Sequence, residues 1–274
     1  MSDARALSFL RLNTRASKPR KQGLTEIRGP YYTPVGPRYL RDVLETMGEY
    51  VDIFKFSGGS FSLMPHAAVK ALIDICHEHD VLVSTGGFIE HILVREPDAV
   101  GRYLEACKAL EFDIVEISSG FISIPTPDLV RLTERVQQMG LKAKPEINIQ
   151  FGAGGASSVA ALEEEGTQDP DRAIREARQH LDAGAHLIMV ESEGITEQVR
   201  QWRTDVISNM AQHLGVEKLM FEAADPDVFG WYVKNFGPEV NLFVDHSQIV
   251  ALESLRSGIW GTKDLWGRVV TYKG

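Results

Sequence analysis

Cysteine is almost absent from this sequence, and so are long apolar runs and any overall excess of positive charge. The two cysteines, Cys76 and Cys107, fall in separate helix-like stretches with no metal-ligand spacing. That excludes a disulfide framework and points to a reducing, cytoplasmic setting. No apolar run approaches the length needed to cross a bilayer. The net charge of −9 argues against nucleic acid or an anionic membrane as a partner. It leaves room for small anions, which a locally basic pocket or a bound metal can hold. What is present, 43% hydrophobic and 24% charged residues over 274 positions, has the make-up of a soluble enzyme and the length of one α/β barrel.

Basic residues do gather once. Between Met1 and Gln22 stand Arg5, Arg11, Arg15, Lys18, Arg20 and Lys21 against a single acid, Asp3. The bias resembles that of a transit peptide, but the apolar core of a secretory signal is missing. We expect residues 1–23 to form a basic N-terminal arm packed on a barrel domain spanning 24–274.

From Leu24 onward, β-branched apolar runs alternate with runs of helical period. Strands are expected at Leu24–Arg28, Val51–Ser57, Val81–Thr85, Phe112–Ser118, Leu141–Glu146, His186–Glu191, Lys218–Glu222 and Val240–Asp245. Helices are expected at Arg38–Glu49, Pro65–His79, Pro97–Leu110, Pro127–Met139, Pro170–Ala183, Thr196–Leu214, Pro226–Asn235 and Ser247–Ser257. Strand–helix pairs with nothing left over predict an α/β fold, a single (β/α)8 TIM barrel. Thr126-Pro127, Asp169-Pro170 and Asp225-Pro226 each place a capping residue before a proline suited to the first helical turn. Gly140 and Gly184 stand where helices should stop. The one long connection, residues 148–168, carries Phe151-Gly152-Ala153-Gly154-Gly155 and reads as a lid over one end or as disordered chain.

Five of the strand candidates end in a carboxylate: Glu116, Glu146, Glu191, Glu222 and Asp245. Packing alone does not explain them, because an unpaired buried carboxylate is costly. Alternation along a strand puts Ile114, Glu116 and Ser118 on one face and Val115 and Ile117 on the other. It likewise groups Lys142, Lys144 and Glu146, and pairs Met220 with Glu222. The apolar sets suit the helix layer, so the polar sets should face into the barrel and share its C-terminal mouth. Arg28, Lys55 and Lys144 should reach the same mouth, with His246 following Asp245 directly. Each cation has a plainer use in neutralising a neighbouring glutamate. The whole set suits a hard divalent cation together with an anionic substrate. Ser57-Gly58-Gly59-Ser60 and Ser84-Thr85-Gly86-Gly87 follow neighbouring strands, where backbone N–H groups can cradle phosphate or carboxylate oxygens.

Leu24-Thr25-Glu26-Ile27-Arg28, Lys55-Phe56-Ser57-Gly58-Gly59, Ser84-Thr85-Gly86-Gly87, Val115-Glu116-Ile117-Ser118, Met220-Phe221-Glu222-Ala223 and Val240-Asn241-Leu242 occur in an order that resembles the phosphosulfolactate synthase family. Gly29-Pro30-Tyr31-Tyr32 and Phe243-Val244-Asp245-His246-Ser247-Gln248 are similar to its bacterial and plant branch, which includes heat-stress-associated proteins. The resemblance implies a Mg²⁺-dependent carbon–sulfur lyase that adds sulfite to phosphoenolpyruvate, giving (2R)-phospho-3-sulfolactate on the route to coenzyme M. On that reading Glu116, Glu146 and Glu191 hold the metal. Arg28, Ser57, Gly58, Gly59, Thr85, Gly86, Gly87 and Ser118 bind substrate. Lys144 delivers a proton, with Lys55, Glu222, Asp245 and His246 as its catalytic neighbours. We also expect a homo-oligomer.

One segment departs from the family. The archaeal synthases follow the strand-five glutamate with a lysine-bearing loop of the type Glu-Val-Gly-Lys-Lys, whereas here Glu146 leads into Ile147-Asn148-Ile149-Gln150 and a glycine-rich loop. Two alternatives therefore stand beside the main reading. One is a related barrel enzyme that uses a different nucleophile on a phosphorylated enol or keto acid. The other is a non-catalytic, stress-associated barrel.

Overall fold

A computed structural model describes residues 5–272 except 96, 156, 167–168, 224 and 262–264. Its centre is a closed barrel of parallel strands in sequential order. The strands are β1 (Thr25–Arg28), β2 (Ile53–Lys55), β3 (Leu82–Ser84), β4 (Ile114–Ile117), β5 (Lys142–Ile147), β6 (Ile188–Val190), β7 (Leu219–Glu222) and β8 (Asn241–Asp245). Every expected strand is present; β5 is shifted by one residue and the others are shorter than expected. The barrel closes where β1 pairs with β8, with Arg28 opposite Asp245.

The face assignments hold. Ile27, Phe54, Val83, Val115, Ile117, Ala143, Phe221 and Leu242 join the large cluster between the barrel and its helices. Leu24, Ile53, Ile114, Leu187, Met189, Met220 and Phe243 form a separate cluster inside the barrel. Two apolar clusters divided by one sheet are what alternation requires when both faces are covered.

The outer layer contains α1 (Pro37–Met47), α2 (His66–Glu78), α3 (Ile89–Arg95), α4 (Val100–Ala109), α5 (Thr126–Gln138), α6 (Val159–Glu165), α7 (Pro170–Asp182), α8 (Thr204–Leu214), α9 (Pro226–Phe236) and α10 (Ile249–Arg256). Asp169 caps α7 by accepting from the Asp171 N–H, and Asp225 caps α9 by accepting from Asp227 and Val228. Thr126 does not cap α5: it is the first helical residue and Pro125 precedes it. Gly140 and Gly184 follow α5 and α7 at φ +80° and +87°, a backbone conformation that L side chains rarely adopt.

Two helices were not expected from the sequence, α3 directly after Gly86-Gly87 and α6 inside the glycine-rich connection. Ser158 caps α6, its hydroxyl accepting from the Ala161 N–H. A third difference lies after β6, where helix begins at Thr204 rather than Thr196. There the Ser192 carbonyl accepts from Ile195, Thr196 and Glu197, winding the segment into a compact turn.

The basic arm seals the N-terminal end of the barrel. Arg20 is buried against Asp52 at 2.9 Å and Glu49 at 3.0 Å, and Arg15 reaches Glu253 at 3.3 Å. Asp52 also accepts from the Thr25 N–H at the start of β1. Among the described residues no helix is long and apolar enough to cross a membrane.

Candidate active site

Inside the barrel, beyond the apolar cluster, four charged side chains make an alternating chain. Lys144 is fully buried and donates to both oxygens of Glu26. On its other side it lies 2.9 Å from Glu116 Oε2, its neighbour in register on β4. Glu116 Oε1 is 2.7 Å from Lys55 Nζ, and Lys55 reaches Glu146 Oε2 at 3.8 Å. Glu26, Lys144, Glu116 and Lys55 thus balance one another, and of these Lys55 and Glu116 also line the open mouth.

That mouth is a cavity of about 330 Å³ at the C-terminal ends of the strands, where barrels of this kind carry their chemistry. Arg28, Lys55, Ser57, Gly58, Gly59, Gly87, Ser118, Glu116, Glu146, Glu191 and Glu222 of the expected set line it. Phe243 forms a floor beneath both cations: the Lys55 ammonium lies 4.4 Å from its ring centroid and the Arg28 guanidinium 5.0 Å. Arg28 also pairs with Glu222 and donates to the Tyr32 hydroxyl at 3.0 Å. Gly58 and Gly59 both take left-handed backbone, φ +59° and +66°. The Ser57 hydroxyl beside them is buried with no protein partner.

Five expected residues take other positions. Lys144 is enclosed between Glu26 and Glu116 and is not among the residues that line the cavity. Thr85 is buried: its hydroxyl donates to the Gly86 carbonyl and accepts from the Glu116 N–H, which fixes backbone rather than ligand. Gly86 lies behind the cavity with its Cα against the Phe56 carbonyl. Asp245 caps the turn that precedes α10, accepting from the Ser247 N–H at 2.9 Å. His246 bonds the Arg28 carbonyl through Nδ1 and packs edge-on to Tyr39. Glu116, expected as a metal ligand, has both oxygens committed to ammonium groups.

The remaining carboxylates are poorly compensated. Among the described residues, seven glutamates line the cavity (Glu90, Glu116, Glu146, Glu191, Glu193, Glu197 and Glu222) against two permanent cations, Arg28 and Lys55. Burial, then repulsion from Glu116, pushes the Glu146 carboxyl up to about 8, with Lys55 opposing. Burial, then Glu222 and Glu146, pushes Glu191 well above the ordinary carboxylate range. Burial and the two ammonium groups act oppositely on Glu116, and the ammonium groups win, holding it low. Lys55 is held above its usual value because four carboxylates outweigh its burial.

Sequence reading passed over Glu26, Glu90 and Glu193. Glu26 shares strand parity with Arg28, so alternation alone could have placed it inside the barrel. Glu90 rides on the unexpected α3, where its carboxylate accepts from the Ser118 hydroxyl and from the Gly120 and Phe121 N–H groups. Glu193 sits in the turn between β6 and the segment that sequence periodicity assigns to helix from Thr196.

Among the described residues, no three His, Cys, Asp or Glu side chains come close enough together to hold a metal by themselves. Glu146, with one oxygen 3.8 Å from Lys55, and Glu191 both line the cavity, and two such carboxylates suit Mg²⁺ when substrate oxygens and water complete its shell.

Comparisons with known proteins agree with this architecture. Residues 13–262 match the family model described as (2R)-phospho-3-sulfolactate synthase (ComA). The chain is 40% identical over 259 residues to Protein HEAT-STRESS-ASSOCIATED 32 of Arabidopsis thaliana, covering 91% of each. It is 29% identical over 262 residues to phosphosulfolactate synthase of Methanothermobacter thermautotrophicus, covering 93% of this chain and 95% of that protein. Among solved structures, Rhizobium etli pyruvate carboxylase aligns with a TM-score of 0.58 at 10% identity over 82% of this chain and 23% of that one, a likeness of fold.

Proposed function

The chain belongs to the (2R)-phospho-3-sulfolactate synthase family, and on that premise we propose that it is a lyase-type enzyme joining sulfite to phosphoenolpyruvate. The observation that carries the reading is the polarity of the cavity. One side presents Arg28, Lys55 and the Ser57-Gly58-Gly59 turn with its unpartnered hydroxyl, which suits a phosphate. The other presents Glu146 and Glu191, two carboxylates whose charge needs a cation.

Glu146 and Glu191 would hold a divalent cation, which would supply positive charge near the substrate carboxylate. Arg28 and Lys55 hold the phosphate and carboxylate ends, with Phe243 setting their height in the cavity. The sulfur lone pair forms a bond to the methylene carbon, the C2–C3 π pair shifts to C2, and C2 takes a proton. Lys144 does not line the cavity. Lys55 is the ammonium that faces the cavity; its raised pKa suits a fixed positioning charge, and the proton reaches C2 from water.

Phosphorus resonances followed in a mixture of protein, Mg²⁺, phosphoenolpyruvate and sulfite test the reading. A new phosphate ester is expected, and it should vanish with Glu146→Gln. Unchanged phosphoenolpyruvate in that mixture, without binding, removes the proposal. A second reading keeps the phosphorylated acid but replaces sulfite with another nucleophile. It is favoured by the loop after β5, which brings Gly154 rather than a lysine to the cavity lining. Phosphoenolpyruvate binding without turnover by sulfite is the result that would select it.

A further inference from the structure

The glycine-rich connection after β5 is not held by its own hydrophobic contacts alone. The Gly154, Gly155 and Ser157 N–H groups all point at one oxygen, Glu193 Oε2, at 2.9, 3.1 and 3.4 Å. Glu193 is 5% exposed and comes from the turn after β6. Three donors on a single buried carboxylate oxygen make a charge-assisted clamp.

The clamped turn lies against the candidate cation edge. A Cβ at Gly154 would stand 2.8 Å from Glu191 Oε2, so the bare backbone touches that carboxylate directly. Glu191 Oε1 in turn accepts from the Ser192 and Glu193 N–H groups at 2.8 and 3.0 Å. One short segment therefore orients Glu191 from both sides. Its backbone fixes one oxygen, and its Glu193 side chain holds a wall against the other. The turn is also tied to the β4 loop, since the Gly152 N–H donates to the Gly120 carbonyl at 2.8 Å.

We propose that Glu193 is a positioning residue: its carboxylate pins the backbone at Gly154, Gly155 and Ser157 and so fixes the orientation of Glu191, the carboxylate that would receive the divalent cation. The role of the turn rests on the function proposed above only for its last step, the cation; the clamp itself does not. A loop that has no lysine to contribute here acts through its backbone instead.

The test uses the full chain with Glu193→Ala and Glu193→Gln. Amide hydrogen exchange is read at Gly154, Gly155 and Ser157 without ligand, and Mg²⁺-dependent phosphoenolpyruvate binding is read by calorimetry. Loss of three hydrogen bonds to a charged group predicts at least about tenfold faster exchange at these amides in Glu193→Ala. Amides of β4 should be unchanged, and Glu193→Gln, which keeps an acceptor oxygen, should recover part of the protection. Apparent Mg²⁺ affinity should fall at least about fivefold in Glu193→Ala while phosphoenolpyruvate retains its own weak, metal-free binding. Unchanged exchange in Glu193→Ala overturns the clamp. Faster exchange with unaltered Mg²⁺ affinity overturns its effect on Glu191. If the unaltered protein binds neither Mg²⁺ nor phosphoenolpyruvate, the proposed function fails, and the exchange result still decides the clamp.

Discussion

Lys144 illustrates how one residue's surroundings decide its chemistry. It stands on the barrel-facing side of β5 beside Glu146, where a lysine is a natural acid catalyst. Its ammonium is instead spent on Glu26 and Glu116. Removing it leaves Glu26 buried without compensation and Glu116 with Lys55 alone. Lys144→Met should therefore destabilise the fold by about 3–5 kcal/mol in denaturant unfolding. Adding Glu26→Gln should recover a good part of that loss, because the stranded charge goes too. A catalytic lysine without structural duty would show neither effect. Glu146 has the opposite character. Its carboxyl binds a proton on folding between its ordinary value of 4.5 and about 8, so the native state holds more protons than the unfolded chain in that window. Stability contributed by the neutral form is lost as pH rises from 4.5 toward 8. The melting temperature of metal-free protein should fall across that range, and Glu146→Gln should flatten the slope. A slope identical in the variant assigns the pH dependence to other groups.

At the scale of elements, alternation was the most readable signal. The faces of β4, β5 and β7 were set by period two alone, and the two apolar clusters confirm them residue by residue. The cavity-lining carboxylates Glu116, Glu146 and Glu222 followed from the same rule, and Glu191 from its place at a strand end. Periodicity failed where short loops bend the chain around polar contacts. Ile89–Arg95 is only seven residues, begins directly after a glycine pair, and is held partly by what Glu90 accepts from the β4 loop. Residues 196–203 have helical spacing, but the Ser192 carbonyl captures the N–H groups that would start the helix earlier. Asp245 and His246 stood at a strand end like the others, yet a capping turn drew both away from the cavity. The loop after β5 offers an element-scale prediction. Gly154 has φ +95°, and a Cβ there meets Glu191. Gly154→Ala should cost about 1 kcal/mol or more of stability from the backbone conformation alone. It should weaken Mg²⁺ binding more than Gly166→Ala does. Gly166 also has positive φ but open space around its Cα. Equal effects of the two substitutions on Mg²⁺ binding would mean that contact with Glu191 is irrelevant.

Across the whole molecule the two ends of the barrel do different work. The N-terminal end is closed by the arm, where Arg20 and Arg15 meet Asp52, Glu49 and Glu253, and where Arg256 is buried against the Thr25 hydroxyl and the Val240 carbonyl. Arg20 and Arg15 are paired with carboxylates there, Arg256 is held by hydroxyl and carbonyl oxygens, and these contacts serve stability. The C-terminal end gathers carboxylates with too few partners, and their mutual repulsion is a standing cost of the apo fold. A barrel shaped by function at one end and by packing at the other should answer substitution differently at each. Arg20→Ala strands Asp52 with only the Thr25 N–H. It should lower unfolding free energy by about 2–4 kcal/mol while leaving Mg²⁺ and phosphoenolpyruvate binding unchanged. Glu191→Gln removes a buried charge that burial, Glu222 and Glu146 all disfavour. Its melting temperature should hold or rise, and its Mg²⁺ affinity should fall at least about tenfold. Thermal melts and calorimetry on the two variants read both quantities. A Glu191→Gln protein that is less stable and binds Mg²⁺ normally would show that Glu191 belongs to the packing of the barrel rather than to its chemistry.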